Sequence, residues 1–140
     1  DSDRLVRHLR VADSDLAAVG ETTAVVAVVT GDEVIGASVG DSEAWIVSAA
    51  GIDDLTAVHD RRRLGSGRAR PVAFRRAFND GKLVVGTDGL FKYLSREVTA
   101  AVVRAREPQA AAEELVRRVR LPSGTLVDDV AVVVVGGSSS

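Results

Sequence analysis

The sequence predicts an α+β fold, in which an antiparallel β-sandwich is flanked by helices. Valine-rich stretches separated by turn signals follow one another early in the chain, a pattern that favours antiparallel hairpins. Two segments with helical apolar spacing come later, before a final valine-rich stretch. This order differs from the regular alternation of strands and helices in a doubly wound parallel sheet.

The first half of the chain is predicted to contain one helix and three strands. Leu5, Leu9 and Leu16 belong to an apolar stripe at helical spacing, and β-branched runs mark the strands. We expect the first strand to be buried on both faces or nearly so. Gly31-Asp32 would close a hairpin, and Gly40-Asp41-Ser42 would end its second strand. The predicted elements are a helix over residues 3–18 and strands over residues 22–29, 34–39 and 44–48.

The second half is predicted to begin with a mobile surface loop and to end on a central strand. Residues 60–69 contain arginines and two glycines with almost no apolar periodicity. A strand over residues 82–87 follows, and helices start after the N-cap residue Ser95 and at Pro108. The last strand, over residues 130–135, is nearly all valine, which favours a central place in its sheet.

Composition and charge narrow the class of protein. The chain has 140 residues, which suits a single domain over residues 1–140 with a polar tail over residues 136–140. Its 18 basic and 20 acidic residues give a net charge of -2, so we expect no nucleic-acid partner. No apolar run approaches the roughly 20 residues of a membrane helix, so we expect a cytoplasmic protein without a membrane partner. The chain begins without methionine, and we expect it to be a piece of a longer protein.

The carboxylates offer a candidate metal site. The chain contains no cysteine and only two histidines, so any metal would be bound mainly by oxygen atoms. Aspartates stand at three predicted strand ends, and a rigid strand end can aim a carboxylate at a fixed point. Each of them alone suits an ordinary turn. Together they indicate a magnesium or manganese site, because converging carboxylates repel one another unless a cation neutralises them. The residues are Asp41, Asp88, Asp128 and Asp129.

Four segments, taken in order, span nearly the whole chain between residues 20 and 135. They are Gly20-Glu21-Thr22-Thr23-Ala24-Val25, Val39-Gly40-Asp41-Ser42-Glu43-Ala44, Leu83-Val84-Val85-Gly86-Thr87-Asp88-Gly89-Leu90 and Asp128-Asp129-Val130-Ala131-Val132-Val133-Val134. Their order and spacing resemble the pattern of the metal-dependent serine/threonine phosphatases of type 2C, the PPM family. The chain thus resembles the C-terminal two-thirds of such a domain, which implies the sandwich fold of that family.

The resemblance implies an enzyme that hydrolyses phosphoserine and phosphothreonine monoesters in proteins. In the family, two Mn²⁺ or Mg²⁺ ions activate a bridging water for in-line attack on phosphorus. The resemblance assigns Asp88 and Asp128 to one catalytic metal, and Asp41 with Asp88 to the third, weaker metal of bacterial-type members. Gly89 would permit a tight backbone turn beside the metal, and Asp129 would support the site.

Other parts of the family pattern have no counterpart in these residues. They are an early strand with a phosphate-binding arginine, an Asn-Glu-Asp cluster, and an Asp-Gly-x-Gly-Gly turn whose aspartate bridges the two catalytic metals. Without them we expect this chain alone to be inactive and to have unpaired strand edges. A second piece, from the same polypeptide or another chain, would supply the missing N-terminal strands. Glu43 stands where the family has arginine, and the sequence leaves the effect of this charge reversal open.

The basic loop is a candidate for substrate attraction. Arg61, Arg62 and Arg63 lie where family members enlarge a flap beside the active site, and they would draw a phosphorylated or acidic substrate toward it. A solvated basic loop without this role is the alternative. His59 is expected to be a structural hydrogen-bonding residue, and Trp45 a packing residue.

Two functions remain open from the sequence. One is part of a signalling phosphatase whose missing strands are present in the complete protein. The other is a non-catalytic, phosphatase-like module that binds or regulates a partner. An Asp-Gly-x-Gly-Gly-like turn upstream of Asp1 would favour the enzyme, and a chain that truly starts near Asp1 would favour the module. Widely separated carboxylates would instead indicate a generic α+β domain.

Overall fold

A computed structural model describes residues 1–58 and 60–136, which form four α-helices and seven β-strands. Every strand pairing is antiparallel, so the predicted mixture of helices and antiparallel sheets is confirmed. Among these residues, no helix is both long and apolar enough to cross a membrane. The helices are α1 (Ser2–Leu16), α2 (Asp88–Phe91), α3 (Arg96–Ala105) and α4 (Pro108–Val119). The strands are β1 (Ala24–Thr30), β2 (Glu33–Val39), β3 (Glu43–Ser48), β4 (Gly51–Asp54), β5 (Val72–Ala77), β6 (Lys82–Gly86) and β7 (Val132–Gly136).

The described residues divide into two compact units, and the first unit comprises Asp1–Ser42 and Leu55–Phe78. Its sheet has the strand order β1-β2-β5. The predicted hairpin is confirmed, because β1 and β2 pair from Ala24 opposite Val39 to Thr30 opposite Glu33. Helix α1 packs on this sheet through an apolar cluster, whose buried members are Leu9, Ala37, Val39 and Leu64.

The second unit comprises Glu43–Asp54 and, of the described residues, 79–136; its sheet has the order β4-β3-β6-β7. In the register of this sheet, Gly86 lies opposite Glu43 on one side and opposite Val132 on the other. The end of β6 therefore lies beside the starts of β3 and β7. Helices α3 and α4 cover a core that includes Trp45, Val84, Val103 and Leu115.

Helix α3 begins as predicted, because Ser95 caps its N-terminus. The Ser95 Oγ accepts a hydrogen bond from the backbone N–H of Val98 at 3.2 Å. We expect Ser95→Ala to lower the free energy of unfolding by about 1 kcal/mol, measured by urea denaturation. Ser2→Ala is the matched control, since Ser2 lies within the first turn of α1 and does not cap it. Equal midpoints for the two variants would contradict a stabilising cap.

Two strands differ from the sequence prediction. Strand β1 is not buried on both faces, since Val26, Val28 and Val29 are 37%, 40% and 38% exposed. Strand β7, predicted to be central, ends the order of its sheet and pairs only with β6 in the described part of the chain. Val133 of β7 is 58% exposed. Both predictions were wrong because a valine-rich run reports strand propensity, whereas the number of neighbouring strands depends on residues elsewhere.

The segment predicted as a mobile surface loop contains a buried anchor. Leu64 is 5% exposed and belongs to the core of the first unit. Its backbone pairs with that of Thr22 through two hydrogen bonds of 2.8 and 2.9 Å. Much of the segment is exposed, but Leu64 at its middle is hydrogen-bonded to Thr22, which lies just before β1.

Candidate metal centre

The candidate centre lies at the end of the second unit's sheet where β6 stops and β7 begins. Strand β6 ends at Gly86, Thr87 follows it, and Asp88 is the first residue of α2. Asp128 lies in the segment that leads into β7. Because Gly86 is opposite Val132 in the antiparallel register, both aspartates belong to the same end of the sheet.

Thr87 connects these two segments by hydrogen bonds. Its backbone N–H donates to the carbonyl oxygen of Ala131 at 3.1 Å, and its Oγ1 accepts from the Ala131 N–H at 3.1 Å. The same hydroxyl donates to the carbonyl oxygen of Asp129 at 3.4 Å. The sequence prediction missed Thr87. The sequence did indicate such a role, since a threonine at the end of a strand commonly forms hydrogen bonds with nearby backbone groups.

Gly89 brings the backbones of the two segments into contact. A Cβ atom at this position would overlap the carbonyl oxygen of Asp129 and would lie 3.3 Å from Cγ2 of Val130. Gly89 is not among the described glycines with positive φ, so close approach, rather than the tight turn predicted for it, explains why glycine suits this position. Asp88 directly precedes Gly89, and Asp128 directly precedes Asp129. The two aspartates therefore lie next to the point where the two backbones are in contact.

The two carboxylates have different surroundings. Asp88 is half-buried, and no residue of the described chain forms a hydrogen bond or ion pair with its side chain. Asp128 is exposed, and its Oδ1 accepts a hydrogen bond from the Asp129 N–H at 2.8 Å. Both have oxygen atoms available for a cation.

These residues fit part of a site for a hard divalent cation. Mg²⁺ is commonly held by one or two carboxylates, with water and substrate phosphate at its other positions. The contact between the two aspartate segments suits such a pair. A cluster of three or more His, Cys, Asp and Glu side chains placed to hold a metal does not occur within residues 1–58 and 60–136.

Asp41 lies in the first unit, at the end of β2. Gly40, with φ of 83°, turns the chain out of the strand. The hydroxyls of Thr23 and Ser42 form a hydrogen bond of 2.6 Å, and Ser42 is buried. This bond joins the first two segments that resemble the phosphatases, just as Thr87 joins the last two. The assignment of Asp41 to a metal shared with Asp88 stays a prediction.

Glu43 has a structural contact that accounts for a carboxylate at this position. Its Oε1 accepts a hydrogen bond from Nε1 of Trp45 at 3.3 Å. Trp45 is 2% exposed, and its ring centroid lies 4.4 Å from that of Phe91. The guanidinium carbon of Arg96 lies 4.8 Å from the centroid of the Trp45 ring. A buried indole N–H requires an acceptor, which arginine would not provide.

The substrate-attracting arginines predicted from the sequence lie in the first unit. Arg61, Arg62 and Arg63 are exposed. Nε of Arg62 lies 3.8 Å from Oδ1 of Asp60, and its backbone N–H donates to the same oxygen at 2.9 Å. The prediction for His59 lies outside the described residues.

Comparison with known proteins identifies the fold. No protein-family model and no curated protein matches this sequence. Stp1, a serine/threonine phosphatase from Staphylococcus aureus, is 18% identical with a TM-score of 0.85 over 98% of this chain and 68% of its own. The serine/threonine phosphatase of S. agalactiae is 20% identical with a TM-score of 0.85 over 97% of this chain and 70% of its own. The catalytic domain of the phosphatase PstP, solved with two manganese ions, is 19% identical with a TM-score of 0.80 over 94% of this chain and 69% of its own. The chain therefore has the fold of the bacterial PP2C-type serine/threonine phosphatases, as its four resembling segments predict.

Proposed function

We propose that this chain is part of a metal-dependent serine/threonine protein phosphatase that hydrolyses phosphoserine and phosphothreonine monoesters in the cytoplasm. The observation that carries the proposal is the contact between the Asp88-Gly89 and Asp128-Asp129 segments at one end of the sheet. The fold shared with bacterial phosphatases supports the reaction class. The manganese ions of the PstP structure support the cofactor.

In this proposal Asp88 and Asp128 are ligands of one Mn²⁺ or Mg²⁺ ion. A bound cation of this kind would polarise a phosphoryl oxygen and make water a better nucleophile at neutral pH. The hydrogen bonds of Thr87 and the close approach at Gly89 join the two segments that carry these carboxylates, so little reorganisation of the backbone would be needed when substrate binds. Asp41 would contribute to a third, weaker ion.

We further propose that strands outside these 140 residues, from the same or another chain, supply the remaining ligands. The open edge of β7 is a suitable place for such a strand. An exposed edge of valines without lysine or proline is a template for strand pairing, and proteins normally protect such edges. Val133, which is exposed, would gain a cross-strand side-chain neighbour from the same addition.

The test is hydrolysis of a phosphoserine peptide by the complete protein, with phosphate release measured as Mn²⁺ is titrated. We expect turnover that requires Mn²⁺ or Mg²⁺, disappears with a chelator and returns when metal is added back. Metal binding to the same protein is measured by calorimetry. Turnover that persists unchanged with chelator would contradict the metal assignment. Metal-independent peptide binding without turnover would instead favour the non-catalytic module.

A further inference from the structure

A buried carboxylate in the first unit organises the basic segment. Asp13 of α1 is 6% exposed. Its Oδ1 accepts hydrogen bonds from the backbone N–H groups of Gly65 at 2.6 Å and Gly67 at 3.2 Å, and its Oδ2 accepts from the N–H of Ala69 at 3.1 Å. Burial alone would raise the pKa of Asp13, but the N–H groups of this segment outweigh burial and lower the pKa. Asp13 is thus a charged acceptor around which the segment is wrapped.

The conformation held by Asp13 requires glycine at two positions of the segment. Gly65 has φ of 96° and Gly67 has φ of 71°, values that side-chain-bearing residues rarely adopt. A Cβ atom at Gly65 would overlap the carbonyl oxygen of Gly20. With Leu64 buried beside Thr22, the middle of the segment has little freedom to rearrange.

The segment presents positive charge to solvent. Residues 60–70, called the arginine segment below, contain five arginines and one acidic residue, Asp60, in a chain whose net charge is -2. Apart from Arg62, none of these arginines forms an ion pair with another residue of the described chain. All five are exposed: Arg61, Arg62, Arg63, Arg68 and Arg70. Guanidinium groups in such number favour carboxylate and phosphate partners.

We propose that the arginine segment is a docking site for an acidic or phosphorylated stretch of the protein substrate, and that Asp13 is the positioning residue that sets its conformation. The proposal rests on the proposed phosphatase function for the identity of its ligand. A protein partner is favoured over a single-stranded nucleic acid because the segment contains no aromatic residue on which bases would stack. The attraction between the arginine segment and an acidic peptide is electrostatic, so the affinity should fall as ionic strength rises.

The first test measures binding, which needs no catalytic activity. A fluorescent Glu-rich peptide with one phosphoserine is titrated with the complete protein at low and physiological salt. We expect the triple substitution Arg61→Gln, Arg62→Gln and Arg63→Gln to weaken binding roughly tenfold or more at low salt. The matched control removes the same number of exposed charges from α1 of the same unit, through Arg4→Gln, Arg7→Gln and Arg10→Gln. Equal losses in both triple variants, or tighter binding of polyuridine RNA than of the peptide, would overturn the docking site.

The second test separates positioning by Asp13 from a purely structural role. We expect Asp13→Ala to weaken peptide binding and raise KM for the same peptide by roughly several-fold, less than the triple arginine substitution, while kcat changes little. Asp13→Asn retains an acceptor oxygen and should restore part of the binding. Asp15→Ala, on the exposed side of α1, is the control. A fall in kcat with unchanged peptide binding would contradict the positioning role, and this outcome is independent of whether Asp88 holds a metal.

Discussion

Asp88→Asn is expected to reduce Mn²⁺-dependent hydrolysis of a phosphoserine peptide by at least about 100-fold, since losing even an outer partner of a metal ligand costs up to that much. The substitution keeps the size of the side chain but removes the charge that a divalent cation requires. Asp88 is half-buried at the start of α2 and has no partner in the described chain whose loss would disturb the fold. We therefore expect a loss of metal affinity and kcat with unchanged thermal unfolding in the absence of metal.

The control for this prediction is Asp15→Asn, which removes the same charge from an exposed position of α1. Phosphate release, calorimetric Mn²⁺ binding and circular dichroism are measured on both variants. If Asp88→Asn turns over as fast as the unmodified protein, Asp88 is not a metal ligand, and the proposed centre at the end of β6 is refuted.

The sequence predicted the features that are decided locally. Ser95 and Pro108 mark helix starts through capping and a fixed φ, and both helices begin where these signals stand. Gly31-Asp32 closes the expected hairpin. The four segments that resemble the phosphatases led to the fold because their order along the chain is a global property that short-range patterns cannot provide.

Edge strands without a continuous apolar run were the elements that the sequence did not predict, whereas the valine-rich edge strands β1 and β7 were predicted as strands. Strands β4 and β5 were both missed, and each ends the order of its sheet in the described residues. Edge strands tolerate polar residues and need no continuous apolar run. In β5, Arg75 bonds to Glu33 of the neighbouring strand, with Nε 2.8 Å from Oε2, a cross-strand pair that the sequence of β5 alone does not indicate.

The burial of Asp13 could have been predicted from the sequence, although its hydrogen-bond donors could not. The apolar stripe of α1 runs through Leu5 and Leu9, and the next position at the same spacing is Asp13. A carboxylate within an apolar stripe predicts a buried acceptor that must find donors. The sequence does not say where the donors lie, since the first of them, the N–H of Gly65, is 52 residues further along the chain.

Gly89→Ala is expected to lower both stability and activity, although helix propensity alone predicts a gain. Alanine in a helix is favoured over glycine by about 0.5 to 1 kcal/mol. Here the added methyl group would overlap the carbonyl oxygen of Asp129, and overpacking of this kind typically costs about 1 to 3 kcal/mol. The steric term is larger, so the free energy of unfolding should fall. The segment that carries Asp128 must also move, and a displacement of about 1 Å at a reacting site costs on the order of 100-fold in rate.

Gly20→Ala is the matched control, because a Cβ atom at Gly20 meets no heavy atom within 4 Å and its φ is not positive. Urea denaturation and Mn²⁺-dependent phosphate release are compared for the two variants. A loss confined to Gly89→Ala would indicate that contact between the two aspartate segments is needed for the centre. If Gly89→Ala instead gains stability and keeps its rate, the backbone contact at Gly89 does not orient Asp88 and Asp128. The hydrogen bonds of Thr87 would then be the contacts that hold the two segments together.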